Sequence, residues 1–177
     1  MELVVVILII GILGAVGVGF GSKQISNARI STVTSNLKII GNDIESAIVD
    51  LGFLDASDMA DDTARTNYFQ QWDKRYLTSP LDITTLTYSA VGTDYGSSYS
   101  GCVVTTKDYQ DPWGQELRIY YLAPTSGEDY RILIASAGPN GKWAEDAAHG
   151  YVNDTDASGA EVDNYDDDVV LEMKPRG

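Results

Sequence analysis

Histidine and cysteine are almost missing from this chain, His149 and Cys102 being the only ones. A single histidine leaves no room for a multi-histidine zinc site, and a single cysteine allows no intrachain disulfide. An extracellular domain of this size can hold together without one, so the cysteine count leaves the compartment open. Neither Cys102 nor any serine stands in a nucleophile motif such as G-x-S-x-G. Basic residues are scarce as well. Twelve Lys and Arg face 26 Asp and Glu, a formal charge of −14 that repels nucleic acid over most approaches. So acidic a chain supplies carboxylate pairs by chance, and no spacing singles one out for general acid–base work. These absences argue against an enzyme and against a nucleic-acid partner.

What the chain has is apolar length at one end and acid near the other. Its 177 residues, 44% hydrophobic, suit one globular domain with an appended segment. From Leu3 to Phe20 every residue is apolar or Gly, a run of 18. As a helix it is roughly 27 Å long at about 1.5 Å per residue, close to the hydrocarbon thickness of a bilayer. A cleaved secretory signal needs a basic stretch before the run and a small-residue cleavage site after it. Here the acid Glu2 comes before and the first bases, Lys23 and Arg29, come after, so the expectation is a retained anchor. Beyond it Ile30, Val33, Leu37, Ile40, Ile44, Ile48 and Leu51 recur every three or four residues, one face of an amphipathic helix. Asn36, Lys38, Asn42, Asp43, Glu45 and Asp50 fall at other angles, and Gly52 marks a stop. The pattern predicts one helix that begins all-apolar and ends half-buried on a domain.

Within that helix Gly11, Gly14, Gly17, Gly19 and Gly21 make a soft spot, each costing about 1 kcal/mol relative to Ala. In lipid, unwinding would strand backbone groups, so the segment should be helical there; inside a filament it can extend where neighbours cover it. The alternative role of these glycines is close helix packing. Glu2, an ionisable group at the apolar boundary, either lies at the lipid headgroups or needs a partner.

Residues 55–83 read as a connecting segment in which Tyr68, Phe69, Trp72, Tyr76 and Leu77 line a short helix before Pro80. Residues 84–177 read as the globular domain, with strands expected at Thr84–Val91, Gly101–Thr106, Glu116–Leu122, Tyr130–Ala135 and Val169–Met173. Three or four of these should form an antiparallel sheet that receives the amphipathic half of the helix, an α+β fold. Asp111-Pro112-Trp113-Gly114 has the residues of a type I turn in their favoured places. The eleven Tyr and three Trp concentrate in the domain, and residues 1–54 hold only Phe20 and Phe53, so the helix offers no stacked-aromatic conduction path. The loop 138–168 is the acidic part: residues 144–168 contain nine acids and no Lys or Arg, a stretch that repels itself unless cations or solvent relieve it. Within it Asp154-Thr155-Asp156-Ala157-Ser158-Gly159 repeats the first half of an EF-hand-like loop, with oxygen ligands on alternate residues and then Gly. The twelfth position is Tyr165 and not Glu, so the choice is between a partial hard-cation site and a solvated acidic loop. Asn153-Asp154-Thr155 also spells a glycosylation sequon, which assigns nothing by itself.

The opening Met1-Glu2-Leu3-Val4-Val5-Val6-Ile7-Leu8-Ile9-Ile10-Gly11 resembles the mature N-terminus of type IV pilins and type II secretion pseudopilins. In that family a Glu stands fifth in the mature chain, behind a methylated aromatic residue, so the match implies that three residues precede Met1. The family's helix often carries a Pro where this chain has Gly19, and pilins melt near that place. The DPWG turn, the run Arg118-Ile119-Tyr120-Tyr121 and the loop Ser136-Ala137-Gly138-Pro139-Asn140-Gly141 resemble the sheet of the major pseudopilins. There a Ser-x-Gly-x-Asp-Gly loop and a later Asp hold calcium. The resemblance covers roughly residues 1–50 and 109–172. It implies a ladle-shaped pilin fold and a homopolymer in which Glu2 neutralises a neighbour's terminal amine. It also implies handling by a prepilin peptidase and a pilus or secretion assembly machinery, with the inner membrane as the site before assembly and an extracellular or periplasm-spanning filament after it. Calcium would be held by Asp154, Asp156 and Ser158, the set that the local pattern favours, with Asn140, Asp167 and Asp168 as the alternative that the resemblance implies, or by both sets if two ions bind. This chain departs from the family in having Asn140 for Asp and a longer insertion before Asp167. The enlarged acidic insertion favours a pilus-like surface filament over a secretion pseudopilus, with a membrane-anchored calcium-binding module as the further alternative.

Overall fold

The computed structural model describes residues 2–78, 80–90, 99–139, 141 and 169–174, apart from the side chains of residues 2–5 and 8–23. Three helices precede five strands: α1 Glu2–Leu51, α2 Ala56–Ala60, α3 Asp62–Arg75, β1 Leu81–Ser89, β2 Tyr99–Gln110, β3 Glu116–Pro124, β4 Arg131–Ser136 and β5 Val169–Met173. The chain forms two compact units, residues 1–32 and residues 33–177.

In the first unit α1 passes through Gly11, Gly14, Gly17, Gly19 and Gly21 without a break in the helix. Val6 and Ile7 are exposed, and so is every residue from 24 to 32. Among the described residues no helix is long and apolar enough to cross a membrane; the apolar run itself lies mostly where side chains are not described.

In the second unit the remainder of α1 packs on an antiparallel five-stranded sheet of order β1-β2-β3-β4-β5. Val33, Leu37, Ile40, Ile44, Ala47 and Ile48 are buried, the expected three-and-four spacing. Ile30, read from the sequence as part of this face, is 41% exposed, so the buried face starts at Val33. The sheet alternates with period two. Leu117, Ile119, Tyr121 and Ala123 of β3 and Ile132 and Ile134 of β4 belong to the core that α1 joins. Tyr120 and Leu122 of β3 and Leu133 and Ala135 of β4 build a smaller cluster on the opposite face. All five expected strands pair, where the sequence suggested three or four, because β5 adds to β4 from Ile132↔Met173 to Ser136↔Val169. β1 begins at Leu81, earlier than expected, and its register with β2 shifts between Asp82 and Thr87. In that bulge Asp82 Oδ1 accepts from the Thr84 N–H and hydroxyl, and the Thr105 N–H donates to Thr85 Oγ1.

The connecting segment holds two helices, where one short helix was expected. Asp55 caps α2 by accepting from the N–H groups of Ser57 and Asp58, and Asp61 caps α3 by accepting from those of Thr63 and Ala64. The Asp58 N–H first, and then the Ser57 hydroxyl, hold the Asp55 carboxyl below its ordinary range. Lys74 and Arg75 close α3 at the negative end of its dipole.

Candidate functional site

Two places carry the residues to which the sequence points: α1, and the turns at the end of the sheet around Asp111 and Ser136.

α1 stops where Gly52 takes the left-handed conformation, φ 79°, and its N–H donates to Ile48 O. The exit is then clamped. The Tyr68 hydroxyl donates to Gly52 O at 2.6 Å, and the Leu54 N–H donates to the Tyr121 hydroxyl at 2.8 Å. Both rings belong to an aromatic cluster with Phe69 and Trp72, and Tyr130 joins it through Tyr121 and stacks on Phe53 at 4.1 Å. Burial pushes both phenols above their ordinary value. Polar tethers hold the outer side: Asp43 Oδ2 accepts from the Thr78 N–H and hydroxyl, and Asp50 Oδ2 accepts from the Tyr76 hydroxyl. At Gly41 α1 comes close to the sheet: an added Cβ would stand 3.0 Å from Leu171 Cδ2 and 3.2 Å from Met173 Sδ. Sequence reasoning passed over Gly41, although a Gly four residues after Leu37 on an apolar helix face signals close packing.

Glu2, Gly11, Gly14, Gly17 and Gly19 all lie in α1, and the Glu2 side chain is outside the described residues. The first half of the helix is apolar in sequence. Exposed large apolar side chains also persist along it in Ile25, Ile30, Ile39 and Val49.

At the sheet end the DPWG turn forms as expected, with the Gly114 N–H donating to Asp111 O at 3.0 Å and Gly114 at φ 87°. The Asp111 side chain organises it. Oδ1 accepts from the N–H groups of Trp113 and Gln115, both at 2.9 Å, and Oδ2 accepts from the buried Ser136 hydroxyl at 2.6 Å. Ser136 Oγ in turn accepts from the Gly138 N–H. The two motifs that resemble the pseudopilin sheet are therefore joined by one buried carboxylate, a link that linear spacing does not reveal. Both Asp111 oxygens are occupied by protein donors, so this carboxylate is not a free cation ligand. Gly138 and Gly141 take φ 61° and 64°, and the Gly141 N–H donates to Gly138 O, closing a turn.

The expected calcium ligands Asn140, Asp154, Asp156, Ser158, Asp167 and Asp168 lie outside the described residues. Among the described residues no group of three or more His, Cys, Asp or Glu is arranged to hold a metal. The expected ligand set is all oxygen, a chemistry that suits a hard cation such as calcium. Cys102 is fully buried, and burial pushes its thiol up, away from the thiolate that nucleophilic chemistry needs. No family model, no curated protein and no solved structure matches the chain.

Proposed function

We propose that the chain is the structural subunit of a type IV pilus-like filament, with the ladle-shaped fold of the pilins, and that it polymerises through α1. The observation that carries this reading is α1 itself: 50 residues long, with an apolar first half by sequence and a second half whose buried face is seated on an antiparallel sheet. A soluble enzyme has no use for an 18-residue uncharged apolar run in its first helix. In the filament the apolar halves pack together, Glu2 pairs with a neighbour's terminal amine, and the glycine run extends where neighbours shield the backbone. Before assembly the same segment is the membrane anchor. By sequence the acidic loop is rich in oxygen ligands for a hard cation, and calcium bound by it would neutralise its carboxylates.

The hydrogen bond from Ser136 to Asp111 supports a second reading, the major pseudopilin of a type II secretion system, because it joins the two sheet motifs that resemble that group. Shearing cells that express the chain, sedimenting the sheared material and imaging it separates the readings. Surface filaments made of this chain support the pilus. Lost protein secretion on gene deletion, with no surface filaments in the parent, supports the pseudopilus. An intact chain that stays monomeric in the membrane, with neither phenotype, contradicts both.

A further inference from the structure

Residues 24–32 of α1 are exposed at every position, and Ile25, 58% exposed, lies four residues before Arg29 on the same helix face. In residues 33–177 a groove of about 300 Å³ is lined by Asn36, Ile39 and Ile40 of α1 together with Pro80, Asp108 and Tyr109. It is mostly apolar, and Asp108 is its charged residue. Ile39 is 49% exposed there. Neither Arg29 nor Asp108 has an ion-pair partner among the described residues.

Charge chooses the occupant. Residues 1–32 carry two of the twelve bases and one of the 26 acids, which leaves ten bases against 25 acids on residues 33–177. Copies placed side by side therefore repel through their domains, and the relief available is for the weakly cationic helix segment of one to meet the acidic domain of another. We infer that the groove receives the Ile25–Arg29 face of α1 from a second copy of this chain, with Ile25 seated against Ile39, Pro80 and Tyr109 and Arg29 paired with Asp108. This is a helix-in-groove contact read through anchors at i and i+4. The apolar contact supplies the attraction. The exposed ion pair contributes little energy, but it fixes register and rejects a mis-set neighbour. The inference rests on the filament reading above and adds to it the surface that sets how neighbours stack.

The test uses the full chain in cells that assemble it, with filament yield measured in the sheared fraction. Arg29→Glu and Asp108→Arg should each lower the yield by about tenfold, and the two together should restore it to within about twofold of the parent. Single variants that assemble normally, or a double variant as poor as either single, would overturn the contact. A second measurement does not depend on yield: cells making two versions of the chain, one with Ile25→Cys and one with Ile39→Cys, are oxidised and their filaments run without reductant. A disulfide requires Cα atoms within about 7 Å, and the buried Cys102 stays out of the reaction. A mixed dimer absent when either version is expressed alone is the expected result, and filaments without that dimer refute the docking while leaving the filament reading intact. If the parent chain forms no filament, the filament reading itself has failed.

Discussion

Ser136 donates its hydroxyl to a buried carboxylate, and removing that donor costs more than the worth of one hydrogen bond, because Asp111 Oδ2 is left buried without a partner. Ser136→Ala should lower stability by about 1–3 kcal/mol in urea unfolding of the detergent-solubilised chain. An unchanged midpoint would mean that the carboxylate finds another donor. Burial also governs the titrating side chains. Tyr68 and Tyr121 keep their protons above the ordinary value near 10, so in the unfolded chain they ionise first. Their contribution to stability is complete below about pH 10 and is lost as pH rises above it toward the folded values. Followed by tyrosinate absorbance, the exposed phenols should titrate first and Tyr121 only as the chain unfolds, with Tyr121→Phe removing one late phenol. All eleven tyrosines titrating together near pH 10 in a folded chain would contradict this. The Cys102 thiol, raised by the same burial, should resist alkylation until unfolding.

At the scale of elements, α1 and the sheet meet closely at Gly41, and the facing atoms are the far ends of Leu171 and Met173. Gly41→Ala gains helix propensity of about 1 kcal/mol and asks those flexible ends to move a few tenths of an ångström, so its net effect should be small. Gly41→Leu has no such room and should destabilise by about 1–3 kcal/mol, which thermal melting reads directly. A melting temperature unchanged by Leu would show that β5 is not held against α1. The helix and the strands were legible in the sequence because their signals are periodic: three-and-four spacing for Val33 to Ile48 and alternation in β3 and β4. The edges were less legible. Leu81 to Ile83 enter β1 through a bulge, and the caps Asp55 and Asp61 start helices in a segment with little apolar periodicity. The link from Asp111 to Ser136 and the tyrosine clamp on the α1 exit join residues 16 or more apart, and nothing local announces them. The acidic loop makes its own prediction. Nine acids without Lys or Arg should bind calcium, so titration of a chain starting near Lys23, after chelation, should show a binding heat, and calcium should raise its melting temperature by mass action. No heat together with an unchanged melting curve removes the ion from the account.

For the whole molecule the central claim is polymerisation through α1, and the residue on which it turns is Glu2, an acid at the head of an 18-residue apolar run. An ionised carboxylate carried into an apolar filament core is strongly unfavourable unless a cation meets it, whereas the same group at a membrane surface stays solvated. Changing Glu2 should therefore leave membrane insertion intact and stop assembly. The most direct measurement is the amount of chain in the sheared filament fraction relative to the membrane fraction, for the parent and for Glu2→Ala expressed at equal levels. The account predicts filaments from the parent and a membrane-inserted Glu2→Ala chain that yields few or none. Filaments from Glu2→Ala in normal amount would contradict it.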